Sequence, residues 1–165
     1  MGFVEFFVSF VDWLASLGYF GIFLGSFLTN ATVIFPTPFH IAVFLVAPQM
    51  NPIVLGIVAG FGAALGELVG YLIGYHGKRI LPEKQEKQLK GIGEKFHKYG
   101  GVLVLTVFAA TPLPDDVVGI FCGMVNYPRK KFFLAMLLGK TIMFTTIALA
   151  GFYSLDWILG WFGLL

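Results

Sequence analysis

The sequence has few charged residues and a single cysteine, and these two shortages exclude several classes of protein. Asp, Glu, Lys and Arg make up 12% of the 165 residues, whereas an ordinary soluble domain is about a quarter charged. The chain therefore lacks the polar side chains that cover a water-facing surface. Its one cysteine, Cys122, excludes an intrachain disulfide and a cysteine-based metal cluster. Since the sequence also contains no nucleotide-binding loop, zinc-ligand spacing or catalytic triad, we expect no enzymatic activity, cofactor, metal or nucleic-acid partner.

Apolar residues are what the sequence has in abundance. They make up 58% of the chain, 19 of them are Phe, and the mean hydropathy is +0.85. Its apolar segments are about 20 residues long, which is the length that a hydrocarbon core requires. We predict an all-α integral membrane protein that forms a single domain over residues 1–165, in the plasma membrane of a prokaryote and in contact with membrane lipids.

Two apolar runs are long enough to span the bilayer. Residues 53–77 are apolar apart from Glu67, Tyr71, Tyr75 and His76, and at 1.5 Å per residue they would extend about 37 Å. Residues 132–153 are predicted to form the second span. Small residues recur at four-residue spacing in the first run, which allows helices to approach closely, either within the chain or in a homodimer. These residues include Gly56, Gly60, Gly62, Gly66, Gly70 and Gly74.

Two proline pairs interrupt the remaining apolar segments. Proline has no amide donor and restricts the residue before it, so a helix cannot continue through such a pair. Each flanking arm is about 10 residues long, or half a bilayer. The pattern therefore predicts two re-entrant helical hairpins, whose broken backbone must be buried in protein or face a wet cavity. The helix-breaking residues are Pro36, Pro38, Pro112 and Pro114.

Basic residues predict the topology. Residues 78–98 and 129–131 are both rich in Lys and Arg, so the positive-inside rule places both segments in the cytoplasm. The hairpin between them must then enter and leave on one face. Residues 78–98 are predicted to form a surface helix, either as a solvated connector or as a binder of anionic head groups. Residues 3–17 are predicted to form an amphipathic surface helix that Gly18 ends, and residues 154–165 a tail on the far side.

The two halves of the chain match each other. Pro112 follows Pro36 by 76 positions, Pro128 follows Pro52 by the same number, and Lys140 follows Glu67 by 73. We therefore predict repeat one at about residues 1–77 and repeat two at about 78–153. Because each repeat contains one full span, the repeats are inverted and their hairpins face each other. Paired interrupted segments of this kind indicate a transport site.

The segment Gly62 to Gly74, which reads Gly-Ala-Ala-Leu-Gly-Glu-Leu-Val-Gly-Tyr-Leu-Ile-Gly, resembles the DedA family, also called the VTT domain or SNARE-associated Golgi protein superfamily. Phe35 to Pro38 and residues 111–116 followed by Gly123 carry the same resemblance, which covers about residues 18–153. It implies two facing re-entrant hairpins. It also implies polyprenyl-phosphate recycling or lipid scrambling, often proton-coupled.

The sequence departs from the family at both hairpins and resembles a divergent branch. Common members carry acidic residues where this chain has Thr29, Asn30 and His40, and many carry arginine where it has residues 109–111. The expected function is translocation of a polyprenyl phosphate or another anionic lipid. The alternatives are a passive scramblase and a membrane assembly factor that does not transport.

Ionisable groups inside apolar segments are candidates for a substrate or ion pathway, because their desolvation is expensive. Glu67 and Lys140 are pseudo-equivalent and are predicted to meet near the centre, as a gating or substrate-binding pair or as a structural one. Asp115 and Asp116, at the tip of the second hairpin, either cap helix amides or bind a proton. His40 aligns with Asp116 and is the predicted partner in a proton relay.

Hydrogen-bonding groups complete the predicted site. The helices that start after the two proline pairs present free amides, which favour a phosphate or a carboxylate. Thr37, Thr111 and Asn30 are predicted to add hydrogen bonds to such an anion.

Overall fold

A computed structural model describes residues 5, 9, 13, 16–32, 39–78, 89, 91–94, 96, 101–111 and 116–161, with the backbone alone at 116 and 155–161. Within these ranges there is no strand, and six α-helices have both ends defined. They are α1 (Gly18–Ala31), α2 (Phe39–Val46), α3 (Pro52–Gly77), α4 (Gly101–Ala109), α5 (Asp116–Met124) and α6 (Arg129–Trp161). In the two predicted surface helices, the described residues are α-helical except Leu17, which lies in a turn, and Lys78, which has a 3-10 conformation.

Local sequence explains where the helices begin. The side chain of Asn51 accepts hydrogen bonds from the amides of Ile53 and Val54, at 3.1 and 3.2 Å, and Pro52 occupies the first position of α3. Gly18 has a φ of 61°, a left-handed conformation that favours glycine, and it marks the predicted break before α1.

The helix α6 is longer than the sequence predicts. It begins at Arg129 rather than residue 132 and continues to Trp161, so the helix includes residues 154–161 of the predicted tail. The physical reason is that no proline follows Pro128, and the glycines at 151 and 160 are tolerated within a helix.

The two long helices are antiparallel neighbours. Gly56 of α3 contacts Thr145 of α6, and a Cβ added at Gly60 would lie 2.6 Å from Cα of Thr141. Residues Pro52–Gly77 and Arg129–Ser154 are long and apolar enough to cross a membrane. The prediction of two spanning helices is therefore confirmed in length and composition.

The short helix α1 runs alongside α3 and ends beside its middle. A Cβ added at Gly66 would lie 2.6 Å from the carbonyl oxygen of Phe27 and 2.9 Å from the amide nitrogen of Ala31, the last residue of α1. At the opposite end of α1, the amide of Asn51 donates a hydrogen bond to the hydroxyl of Tyr19 at 3.1 Å. The starts of α1 and α3 therefore lie together, and the chain returns to that end through α2.

The short helix α4 has the same relation to α6. A Cβ added at Gly101, the first residue of α4, would lie 3.0 Å from Cε2 of Tyr127, just before α6 begins. At its other end, Ala109 contacts Gly139, in the first half of α6. The helix α4 therefore ends beside the residue next to Lys140.

The remaining short helices pack across the halves. In α2 the carbonyl of Phe44 contacts Gly151 of α6, and in α5 the carbonyl of Ile120 contacts Gly74 of α3. The turn after α5 is fixed to the end of α3, because Lys78 donates a hydrogen bond to the side chain of Asn126. This contact brings the two predicted basic segments to one end of the structure.

The glycines of α3 serve internal packing. Those at 56 and 60 face α6, those at 62 and 66 face α1, and Gly74 faces α5. The sequence offered two explanations for the recurring glycines, namely close packing within the chain and a homodimer. Contacts within the chain account for these five positions, and the homodimer stays a prediction. Large apolar side chains such as Ile57, Phe61 and Ile142 are exposed instead, as expected of surfaces that face lipid.

Candidate functional site

A buried ion pair joins the two long helices. Nζ of Lys140 lies 3.0 Å from Oε1 of Glu67, and the two side chains are 3% and 1% exposed. The contact that the matching halves predicted between these residues is therefore present. Glu67 is the sixteenth residue of the 26-residue helix α3, so the pair lies far from either end of that helix.

Asn30 brings the end of α1 into the same cluster. Nζ of Lys140 donates a hydrogen bond to Oδ1 of Asn30 at 2.8 Å, while Nδ2 of Asn30 donates to the carbonyl of Ser26 at 2.8 Å. The hydroxyl of Ser26 is buried and donates to the carbonyl of Ala59 in α3 at 2.6 Å. These bonds fix the last turns of α1 against α3 and aim the amide oxygen at the ammonium group.

The first turn of α5 approaches the cluster from another direction. A Cβ added at Gly119 would lie 3.4 Å from Oε2 of Glu67 and 3.3 Å from its carbonyl oxygen. The absence of a side chain at Gly119 therefore lets the amino-terminal end of α5 lie against the carboxylate. A helix amino terminus carries partial positive charge, which favours a negative group at this position.

The cluster places one carboxylate, one ammonium and one amide where water is scarce. Bringing two charges out of water costs several kcal/mol per ion, and close pairing recovers much of that cost. An ammonium in this position requires acceptors, and the carboxylate of Glu67 and the amide oxygen of Asn30 supply them. A buried carboxylate is a group that can take up a proton and a buried ammonium is a group that can hold an anion, and the same pair also fixes the two long helices together.

Two other predicted site residues have clear positions. The imidazole of His40 stacks on the ring of Phe144 in α6, with centroids 5.2 Å apart and an interplanar angle of 7°. The hydroxyl of Thr111 donates to the carbonyl of Phe108 at 2.6 Å and so closes the last turn of α4. Both side chains are partly buried.

The rest of the predicted site lies outside the described residues. This applies to Thr37, to Asp115, to the side chain of Asp116, and to the four prolines at 36, 38, 112 and 114. Asp116 is described only as the first residue of α5. The relay between His40 and Asp116 stays a prediction. Among the described residues, no group of three or more His, Cys, Asp or Glu side chains is placed to hold a metal ion.

Sequence reasoning missed three contributors to the site: Ser26, Gly119 and Phe144. Ser26 had a detectable signal, since a lone hydroxyl in an apolar helix usually has a backbone partner. Gly119 and Phe144 had none, because glycine and phenylalanine are frequent throughout this chain. Asn30 was a candidate, but as a ligand for substrate and not as the partner of Lys140.

Comparisons with known proteins agree with these observations. The sequence profile of the VTT domain matches residues 35–153, a range that contains α2 to α5 and most of α6. An uncharacterized protein of Methanocaldococcus jannaschii is 27% identical over 125 residues, which cover 76% of this chain and 78% of that protein. No solved structure matches the chain significantly. The match over residues 35–153 covers more than half of the chain, which therefore belongs to the VTT domain family, also known as the DedA family.

Proposed function

We propose that this protein carries an anionic lipid across the bilayer, with a polyprenyl phosphate as the leading candidate. The observation that carries the proposal is the buried pair of Glu67 and Lys140 between two helices of membrane-spanning length. Ionisable residues at membrane depth are costly and commonly mark a substrate or ion pathway. Membership of a membrane-associated family is consistent with a broad transport role.

The pair suggests how a proton and an anion exchange. While Glu67 is ionised, it neutralises Lys140. Protonation of Glu67 releases the ammonium, which then takes the lipid phosphate as its counter-ion. Because Lys140 is paired in both states, neither state contains an isolated buried charge. Asn30 holds the ammonium in place during the exchange, through the 2.8 Å hydrogen bond.

Two re-entrant hairpins in an inverted repeat form the proposed pathway. Support comes from the pairing of short and long helices: α1 ends beside the middle of α3, and α4 ends beside the residue next to Lys140. Further support comes from contacts between the two halves of the chain. Phe44 of α2 packs on Gly151 of α6, and Ile120 of α5 packs on Gly74 of α3. Each half therefore supplies a short helix to the long helix of the other half.

The remaining predicted residues have subordinate roles in this proposal. His40 and Asp116 pass the proton towards the pair, with Asp115 beside them. Thr37 and the free amides at the starts of α2 and α5 bind the lipid phosphate while it passes, and Thr111 does so by turning its hydroxyl away from the carbonyl of Phe108.

Reconstitution into liposomes tests the function. A polyprenyl phosphate with a fluorescent tail is added to the outer leaflet, and its extraction by albumin reports how much has moved inward. We expect movement that accelerates when a pH gradient is imposed, and no movement of a tail-labelled zwitterionic phospholipid used as control.

Other outcomes identify the alternative functions. Movement of both lipids at rates that do not depend on the pH gradient would indicate a passive scramblase. Absence of movement of either lipid, with the protein correctly folded, would indicate an assembly factor that does not transport.

A further inference from the structure

A cluster of four cations lies where α3 ends and α6 begins. Lys78 follows the last residue of α3, and Arg129, Lys130 and Lys131 form the first turn of α6. The hydrogen bond from Lys78 to Asn126 holds the two chain segments together. The three residues of α6 are exposed, and Lys78 is partly buried. We refer to these four residues as the basic end.

The ring of Tyr75 organises the basic end. Nζ of Lys78 lies 4.5 Å from the centroid of this ring, and Cζ of Arg129 lies 4.7 Å from the same centroid. Both distances are within the range of a cation–π contact. Two like charges are therefore held near each other by one aromatic ring, although they repel.

The basic end has an excess of positive charge. No carboxylate pairs with its four cations among the residues that the structure describes. The first turn of α6 contains no acidic residue, and the amino terminus of this 33-residue helix adds its own partial positive charge. The electrostatic complement of such a surface is an anion with several oxygens.

The position of the basic end indicates whether that anion is a lipid head group or a free phosphate. It lies at the end of two helices of membrane-spanning length, and exposed apolar side chains such as Leu72, Ile73 and Leu134 lie nearby on the same helices. Head groups of the bilayer occupy this level, next to the tails that would contact those apolar side chains. A lipid therefore satisfies both the charge and the apolar surface, whereas a free phosphate satisfies only the charge.

We propose that the basic end binds the phosphate head group of an anionic glycerophospholipid from the surrounding bilayer. Lys78 and Arg129 contact the phosphate from the side of the Tyr75 ring, and Lys130 and Lys131 approach it from the exposed face of α6. The site differs from the transport site, because Tyr75 is eight residues from Glu67 along α3, or about 12 Å. It does not depend on the transport proposal.

Native mass spectrometry of the purified full chain, titrated with phosphatidylglycerol and with phosphatidylcholine, tests this site. We expect preferential binding of phosphatidylglycerol. Loss of each cation should weaken binding about fivefold, so Lys78→Met/Arg129→Met should bind about twenty-five-fold more weakly. Lys130→Met/Lys131→Met, which alters only exposed side chains, should show a similar loss without a risk to folding.

The matched control is Lys130→Arg/Lys131→Arg, which changes the same two exposed side chains but keeps their positive charge. It should retain wild-type affinity for phosphatidylglycerol. The proposal is wrong if this control weakens binding as much as the two variants of the basic end, or if those variants bind normally. It is also wrong if phosphatidylcholine or inorganic phosphate binds as tightly as phosphatidylglycerol.

Discussion

Lys140 in α6 donates a hydrogen bond to Asn30 in α1, 110 positions away in the sequence. Together with the contact to Glu67, this bond links three helices through one ammonium group. The link passes from the first half of the chain to the second, so a change in the partners of Lys140 alters the packing between the halves. This coupling is the physical basis of the exchange that we propose.

The Asn30 contact should contribute measurably to stability. We expect Asn30→Leu to lower the free energy of unfolding by about 1.5–3 kcal/mol, the usual contribution of a hydrogen bond to a charged group. Thr146→Ala is the control, because its hydroxyl bonds to the carbonyl of Ile142 within the same helix at 2.8 Å and makes no contact with Asn30. Chemical unfolding in detergent measures both. Equal losses in the two variants would contradict the role assigned to Asn30.

Removing one member of the ion pair should cost more than removing both. Lys140→Met leaves a buried carboxylate without its cation, and we expect a loss of about 3–5 kcal/mol in the free energy of unfolding. In Glu67→Leu/Lys140→Met an apolar pair replaces the charges, and most of this loss should be recovered. A double-mutant cycle of unfolding measurements gives the coupling energy. Strictly additive losses would show that the 3.0 Å contact has no energetic significance.

Glycines at helix contacts should not tolerate a methyl group. At Gly66 a Cβ would lie 2.6 Å from a backbone oxygen of α1, and at Gly139 it would lie 2.5 Å from a backbone oxygen of α4. We expect Gly66→Ala and Gly139→Ala each to cost about 1–3 kcal/mol through overpacking. Gly77→Ala is the control, because no atom lies within 4 Å of its added Cβ. Thermal unfolding distinguishes them, and a harmless Gly66→Ala would argue against the packing of α1 on α3.

Cysteine labelling in intact cells should place the ends of α3 on opposite faces. In a Cys122→Ala background, a membrane-impermeant reagent should label Asn51→Cys from outside. Lys78→Cys and Asn126→Cys should react only after the cells are opened, because the basic residues beside them favour the cytoplasm. Labelling of Asn51→Cys and Asn126→Cys from the same face would contradict both the topology and the re-entrant second hairpin.

The sequence predicted those features that depend on periodicity and on helix breakers. The long helix α3, the short helices α4 and α5 and the pairing of Glu67 with Lys140 follow from apolar length, from proline and from the match between the halves. The continuation of α6 to Trp161 was missed, because an interfacial tail and an extended helix have the same apolar composition.

From the sequence, the contacts that a side chain makes were harder to predict than its position along a helix. The Asn30 bond to Lys140 depends on how α1 is rotated, and the two Tyr75 contacts depend on how α3 meets the turn before α6. Neither rotation is encoded in a local pattern. The family's own acidic and arginine positions gave no guidance, since this chain has other residues there.

Lipid transport by Glu67→Leu/Lys140→Met in proteoliposomes separates a functional ion pair from a structural one. Both charges are absent in this variant, yet an apolar pair fills the buried space, so folding should survive. We predict that it moves tail-labelled polyprenyl phosphate no faster than protein-free vesicles, while its unfolding transition stays near that of the wild type. A double variant that transports at the wild-type rate would contradict the proposed role of Glu67 and Lys140 and leave the pair as a structural contact.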